Sequence, residues 1–461
     1  MSPTLLSTSL PPGPAADPAA QRDRFARDPF GYLEELHREH GTMFTLDLGA
    51  LGNERFVEAR NNGKWVFLTR PHQIKRMYTA GGETVSGAHA NAVFFGTPEE
   101  SVAYIDGPEH RRRRARIRPE LSGARDYTAL ISAVAEGRAA HWPEGGEVSL
   151  FLELQAITAE IIVEVVCGNL PAADRAELAA LLPRTENAAQ ALEDVLAADA
   201  EIRAFVAARM GSHLRRSDEL GRDDLLAALQ RHAAHGDASL TPEVIRDEVF
   251  SLLYTGFSTT ANTLSWVFAR IARHPGVYRR VMAELGERFT LLPAPRKAYA
   301  DLPYLEAVIT ETLRLHPVSG LNGVRMLTAP YEIDGHLLPA GTILVHCAYL
   351  LQRSPEVYAD PLEFRPERFL EGTACPYSWA AFGGGNRMCV GRNYAQEEMR
   401  VLAAVLLSAR RLHPIGPFPE ARQQGIFMAP ADGARVTTTR RTGTAPRCPH
   451  APADPKGGRT P

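Results

Sequence analysis

The chain has 461 residues, with 51 Lys and Arg against 54 Asp and Glu, 44% hydrophobic and 23% charged residues. These fractions exclude wholesale disorder, collagen-like repeats and a polytopic membrane protein, and a formal charge of −3 gives no bulk attraction to nucleic acid. Length alone suggests about three domains of roughly 150 residues, yet no repeat or clear linker divides the chain.

Residues 1–20 are rich in Pro, Ala and Ser, hold no Lys or Arg, and lack a long apolar run. They read as a disordered tail, neither a signal peptide nor a membrane anchor, and a cytoplasmic protein is expected. Strand signals follow in MFTLDL at 43–48, then in RFVEA at 55–59 and KWVFLT at 64–69. The last two are joined by Asn61-Asn62-Gly63, a hairpin signature. Asp106-Gly107-Pro108-Glu109-His110 leads into RRRRARIRPEL, where six arginines in eight residues read as a solvated or nucleic-acid-binding face.

From there the pattern is helical. Residues 129–140, 150–167 and 171–235 are rich in Ala, Leu and Glu, with apolar spacings of three and four. The longest helix predicted starts at Thr241-Pro242-Glu243, an N-cap with proline at the first helical position, and stops at His274-Pro275. At 1.5 Å per residue it would run about 50 Å and cross the molecule. AVITETLRLHP forms another helix that ends before Pro317, and its Glu311 and Arg314 share a face. YEIDGHLLPAGTILV at 331–345 predicts strands turning at Asp334-Gly335 and Ala340-Gly341. Residues 441–461 carry five prolines and read as a second disordered tail. The expectation is a mainly α protein with a small β-sheet region, one catalytic domain over 21–440.

The chemistry concentrates in AFGGGNRMCVGRNYAQEEMRVLAAVLL at 381–407. Five scattered cysteines (Cys167, Cys347, Cys375, Cys389 and Cys448) contain no CxxC pair, so neither a disulfide framework nor a zinc site is suggested. Cys389 instead sits alone in a Gly-rich loop before a helix, where unpaired N–H groups and the helix dipole would favour thiolate. The glycines would let backbone approach a flat ligand, and Arg387 could meet an anionic group on it. A single thiolate in an open apolar loop suits haem iron better than zinc, which wants three or four ligands.

Phe382, Gly385, Arg387, Cys389 and Gly391 resemble the haem-binding loop of the cytochrome P450 superfamily, Phe-x-x-Gly-x-Arg-x-Cys-x-Gly, soluble bacterial type. The resemblance implies haem b with Cys389 as the iron ligand. It also implies that His110, Arg114 and Arg325 bind the haem propionates. Glu311, Arg314 and Arg368 resemble the family's ExxR helix and its partner arginine, which implies structural support of the loop. The long helix, with Tyr254, Gly256, Phe257, Ser258 and Thr259, resembles the oxygen-binding helix. There Gly256 would open a groove and Thr259 would offer a hydroxyl. Two positions depart from that pattern: Thr255 stands for the usual Ala, and Ser258 for the acid that relays protons. Serine passes a proton but cannot store one at neutral pH.

By family position the substrate pocket is expected from the 86–105 loop, Tyr254, Phe257, Leu321, Asn322, Ile426, Phe427 and Met428. A lipophilic terpene, polyketide or fatty acyl substrate is the expectation, hydroxylated in biosynthetic tailoring. No flavin or reductase segment is seen, so electrons from NAD(P)H should arrive through a separate ferredoxin and ferredoxin reductase. The remaining arginines after His110 would dock such an acidic partner. A monomer, no nucleic acid and no membrane anchor complete the expectation. The alternative that Ser258 raises is a peroxide-driven or non-oxygenating haem-thiolate enzyme, an isomerase, lyase or dehydratase.

Overall fold

The computed structural model describes residues 10–49, 61–95, 100–186, 192–289, 292–372, 375–424 and 427–441. The long helix is present as Pro242–Arg273. The Thr241 hydroxyl accepts the Val244 amide, Pro242 supplies a preset φ in the first turn, and His274-Pro275 ends the run. Twenty-one of its side chains are buried, so it is wrapped by protein on most sides. The helix Leu150–Cys167 packs along it. A Cβ on Gly256 would lie 2.5 Å from Ile162 Cγ1 and 2.6 Å from Ile162 Cδ1. At the next residue, Thr158 Oγ1 donates to the Phe257 carbonyl at 2.8 Å. Gly256 therefore lets the two helices close, which corrects the expectation that its missing side chain opens a groove.

The region 171–235 breaks into Ala172–Leu181, a 3-10 turn Leu182–Glu186, Leu192–Leu220 and Leu225–Ala234. Asp224 caps the last of these and pairs with His213 at 2.9 Å. These helices, with Arg392–Ala409 and Pro303–Leu315, share one apolar core around the long helix.

The five-stranded sheet lies beside this core. Its order is Met43–Asp47, Lys64–Leu68, Ile343–Cys347, Leu321–Leu327 and Val85–Ser86. Strand alternation sends Trp65 and Phe67 to one apolar cluster and Val66 and Leu68 to another, so both faces are covered. Lys64–Leu68 pairs antiparallel with Met43–Asp47, register Met43 to Leu68. The RFVEA segment at 55–59, expected as its hairpin partner, lies outside the described residues. Asp334-Gly335 does turn between Tyr331–Ile333 and His336–Leu338.

The expected tail of residues 1–20 is corrected over 10–20. Met43–Asp47 is an edge strand, and its Thr45 amide and hydroxyl donate to the carbonyls of Pro12 and Pro11 at 2.8 Å each. Satisfying that edge holds the segment, and Asp17 then caps the helix Pro18–Arg27. Residues 442–461 lie outside the description.

The Gly256–Ile162 contact makes a testable sign reversal. Gly256→Ala should destabilise by about 1–2 kcal/mol, the overpacking cost less the gain in helix propensity. In an Ile162→Ala background the same substitution should stabilise by up to about 1 kcal/mol. Denaturant titration of the four proteins reads this directly, and equal effects in both backgrounds would contradict the packing account.

Candidate functional site

The cysteine loop is built by contacts that its sequence only partly announces. The Cys389 amide donates to the Phe382 carbonyl at 2.9 Å, closing the loop. Gly383 and Gly385 take φ of 71° and 65°, which side chains rarely adopt. A Cβ on Gly385 would sit 2.3 Å from the Tyr78 carbonyl, and one on Gly384 2.4 Å from the Tyr78 ring. So these two glycines admit Tyr78, from the helix Pro71–Thr79, rather than a flat ligand. Gly391, by contrast, faces open space, and its amide lies against the Cys389 thiol.

Cys389 lies three residues before the helix Arg392–Ala409 and is exposed, yet burial is the largest influence on its thiol. The two observations agree if its open side faces an internal cleft walled by protein. Burial pushes the thiol up, against the Gly391 amide, Arg114 and Arg392, which pull it down. The sequence predicts a thiol favoured as thiolate; here desolvation wins, because the nearby cations do not match the cost of a buried negative sulfur. A bound metal cation reverses that balance, since a coordinating thiol is deprotonated outright.

Four basic side chains, coupled to one another, gather around the cysteine loop. Arg114 donates to the Met388 carbonyl, next to Cys389. His110 is buried, and burial followed by Arg387 and Arg114 pushes its imidazole down to about 4. Arg325 is buried, stands over the Tyr78 ring at 5.5 Å, and is lowered by burial and by Arg387. Arg387 reaches the carbonyls of Val102, Ala103 and Ile105 and pairs with Asp106 at 2.5 Å. Its Nε is buried without a hydrogen-bond partner among the described residues. Asp106 is the carboxylate that recurs among these groups. The donor set thus fits a ligand bringing two carboxylates beside a sulfur-bound cation, which is the charge pattern of haem.

On the long helix, Thr255 is exposed and Thr259 half-buried among mostly buried neighbours. Thr259 Oγ1 donates to the Thr255 carbonyl at 2.8 Å. Ser258 is fully buried, with its hydroxyl on Glu186. Two acids flank this stretch: Glu186 accepts the Ser258 hydroxyl, and Glu398 accepts Thr260 Oγ1 at 3.0 Å. Sequence reasoning missed both. Glu186 stands 72 positions from Ser258 with no local pattern to mark it, while Glu398 is one helix turn past Tyr394, whose hydroxyl donates to it at 3.3 Å.

The expected pocket residues do not gather as expected. Phe257 is fully buried in the core, and Phe427 and Met428 are buried, with the Met428 carbonyl accepting Trp266 Nε1 at 2.9 Å. Asn322 spends its amide on the carbonyls of Ala380 and Ala381, tying its strand to the cysteine loop. Tyr254 and Leu321 stay half-buried, and Ile426 lies outside the described residues. The strand-end and core demands of packing claim these side chains first.

Glu311, Arg314 and Arg368 do meet. Arg314 grips Glu311 through Nε and Nη2 at 2.7 and 2.8 Å, and Arg368 Nε reaches Glu311 Oε1 at 3.1 Å. Arg314 also donates to the carbonyls of Gln352, Pro361 and Glu363, so it holds the chain that leads to the cysteine loop.

Three comparisons bear on this geometry. The family described as Cytochrome P450 matches residues 181–437. The chain is 30% identical to "Putative cytochrome P450 135B1" of Mycobacterium tuberculosis, over 96% of each chain. It is 31% identical to "Putative cytochrome P450 137" of the same organism, over 87% of this chain and 84% of that one. Among solved structures, retinoic acid bound cyanobacterial CYP120A1 aligns with a TM-score of 0.77, covering 94% of this chain and 100% of that one. At 21% identity this last likeness is one of fold.

Glu311 and Arg314 are fully buried. Removing one partner strands the other charge, so Glu311→Ala should lower unfolding stability by about 3–5 kcal/mol. Arg368→Ala, whose side chain keeps contact with solvent, should cost less. Urea denaturation compares them, and a loss under about 1 kcal/mol for Glu311→Ala would contradict the role.

Proposed function

The chain belongs to the cytochrome P450 family, and we propose that Cys389 ligates the haem iron of a monooxygenase acting on a lipophilic small molecule. As a cytochrome P450 monooxygenase its cofactor is thiolate-ligated haem. One oxygen atom of O2 enters the substrate and the other leaves as water, with two electrons and two protons consumed. The observation that carries the assignment of Cys389 is an exposed thiol in a glycine-rich loop, with the Gly391 amide, Arg114 and Arg392 acting on it.

A thiolate-bound haem supplies the reductive cleavage of dioxygen, the sulfur pushing electron density towards it. The chain's own residues do the rest. The Gly391 amide steadies the sulfur charge. His110, Arg114, Arg325 and Arg387 would hold the two propionates, and Phe382, Gly385 and Gly391 shape the loop that presents Cys389. Thr259, its hydroxyl parked on the Thr255 carbonyl, can turn to hold a proton in the cleft. Half-buried Tyr254 and Leu321 are the pocket candidates that remain for an apolar substrate.

Electrons would come from NAD(P)H through ferredoxin reductase and ferredoxin on separate chains. The helix Gly107–Leu121 exposes Arg111, Arg112, Arg116 and Arg118, a face suited to an acidic donor. A surface cavity of about 650 Å³ adjoins the loop, lined by Phe382, Met388, Arg392 and Gln396. Cys389 is not among its walls, so it belongs to the outer face where a donor protein would dock. Among the described residues no helix is long and apolar enough to cross a membrane. A cytoplasmic monomer fits this reading.

Spectral titration of the purified protein against terpenes, macrolactones, steroids and fatty acids tests the substrate class. Loss of the water-ligated low-spin haem signal with one class is expected. No shift with any of them would contradict a freely diffusing lipophilic substrate. Once a substrate is in hand, Thr259→Ala should divert electrons to peroxide and cut product per NADPH by about tenfold or more. Unchanged coupling would remove the role given to Thr259.

A further inference from the structure

Ser258 stands where the resemblance expects an acid, and the structure brings one there from elsewhere. Glu186 ends the 3-10 turn Leu182–Glu186, is buried, and accepts the Ser258 hydroxyl. Gln155, from the helix Leu150–Cys167, and Tyr254, one turn before Ser258, also hydrogen-bond its carboxyl. These three partners are uncharged. A glutamine would tether the turn equally well without the cost of an ionisable group in the core. A carboxyl kept in such a place is a feature of sites that move protons.

We propose that Glu186 takes the place of the acid absent at Ser258, storing a proton and passing it through the Ser258 hydroxyl towards the cleft at Thr259. Burial supports the storage, because it pushes the carboxyl up to about 8 against the pull of Ser258, Gln155 and Tyr254. At neutral pH the group is then mostly protonated. The proton moves from the Glu186 carboxyl to Ser258 Oγ, and the serine releases its own hydroxyl proton onward. Asn262 Nδ2 touches Ser258 Oγ at 3.3 Å, and Asn262 Oδ1 is buried without a hydrogen-bond partner among the described residues. That acceptor can hold a water one turn along the helix. The carboxylate left behind regains its proton from solvent by way of half-buried Tyr254. Nothing is oxidised or reduced in this relay; it acts through Ser258, and Glu186 itself touches no reacting atom.

The inference rests on the monooxygenase reading, and the tests separate the two. In the infrared spectrum of the haem-loaded protein, a protonated-carboxyl band should disappear as pH rises through about 8. Glu186→Gln should remove that band. Glu398, also pushed up to about 8 by burial, gives a second band, which Glu398→Gln should remove while leaving the first.

Stability supplies a readout without turnover. A carboxyl raised from 4.5 when folded loses stability as pH climbs from about 4.5 through about 8. The neutral Glu186→Gln variant should therefore melt with the wild type at acid pH and above it at alkaline pH. In turnover the same variant should lower coupling by about 10- to 100-fold and enlarge the solvent deuterium isotope effect. Ser258→Asp added to it should restore coupling, which a merely structural Glu186 would not allow. Ser258→Ala cuts the relay with Glu186 intact and should lower coupling similarly.

Normal thiolate-haem spectra with unchanged coupling in Glu186→Gln and Ser258→Ala would overturn the inference alone. A carboxyl band untouched by Glu186→Gln would do the same. A wild-type protein that forms no thiolate-haem spectrum would overturn the reading beneath it.

Discussion

The buried Glu311 carboxylate is the fixed point from which the functional loop hangs. It receives Arg314 through two nitrogens, Arg368 through a third, and the Arg365 amide at 2.9 Å. Arg314 in turn gathers three carbonyls between 352 and 363. Taking these charges out of water is costly, and only nearly complete hydrogen bonding offsets it. The same completeness leaves the segment one arrangement. Trp379 Nε1 extends the tie to the Thr310 carbonyl at 3.0 Å, and Asn322 holds the carbonyls of Ala380 and Ala381 just ahead of the cysteine loop. The segment that leads into the cysteine loop is thereby held from the helix and the strand beside it.

Around the cleft, the titratable groups lean away from their charged forms. Burial raises the Cys389 thiol and lowers His110, Arg114 and Arg325. Each is a cost of folding these groups together. A ligand with a central metal cation and two peripheral carboxylates reverses every one of them, since it offers the thiolate a cation and the basic groups two anions. Charge complementarity of this kind explains why basic residues from three separate segments (His110 with Arg114, Arg325 and Arg387) lie within electrostatic reach of one another beside the cysteine loop. The serine at 258 raised the second reading, a peroxide-driven or non-oxygenating enzyme; the carboxyl of Glu186 against that serine is the observation that weighs for the first.

Local chemistry made much of this readable from sequence. Thr241-Pro242 and His274-Pro275 bracket the long helix because capping and proline geometry are decided within a few residues. Asp334-Gly335 turned as expected for the same reason. What failed depended on distant partners. The strands Leu321–Leu327, Arg410–Pro414 and Arg435–Arg440 have no strong alternation, and they exist through pairing with segments far away in the chain. Gly256 could not be told from a groove-forming glycine until Ile162 filled the space beside it. Phe257 and Met428 were assigned to a pocket by position, and packing placed them in the core. The loop glycines suggest room for a ligand, whereas Gly384 and Gly385 make room for Tyr78.

Cys389 is the centre of this account, and among the described free cysteines Cys375 is its exposed rival, Cys167 and Cys347 being buried. The most direct measurement is the carbon monoxide difference spectrum of the reduced, haem-loaded protein, taken for the wild type, Cys375→Ala and Cys389→Ala. The thiolate-type spectrum should appear in the first two and be lost in the third. Its persistence in Cys389→Ala, or its loss in Cys375→Ala, would contradict the account.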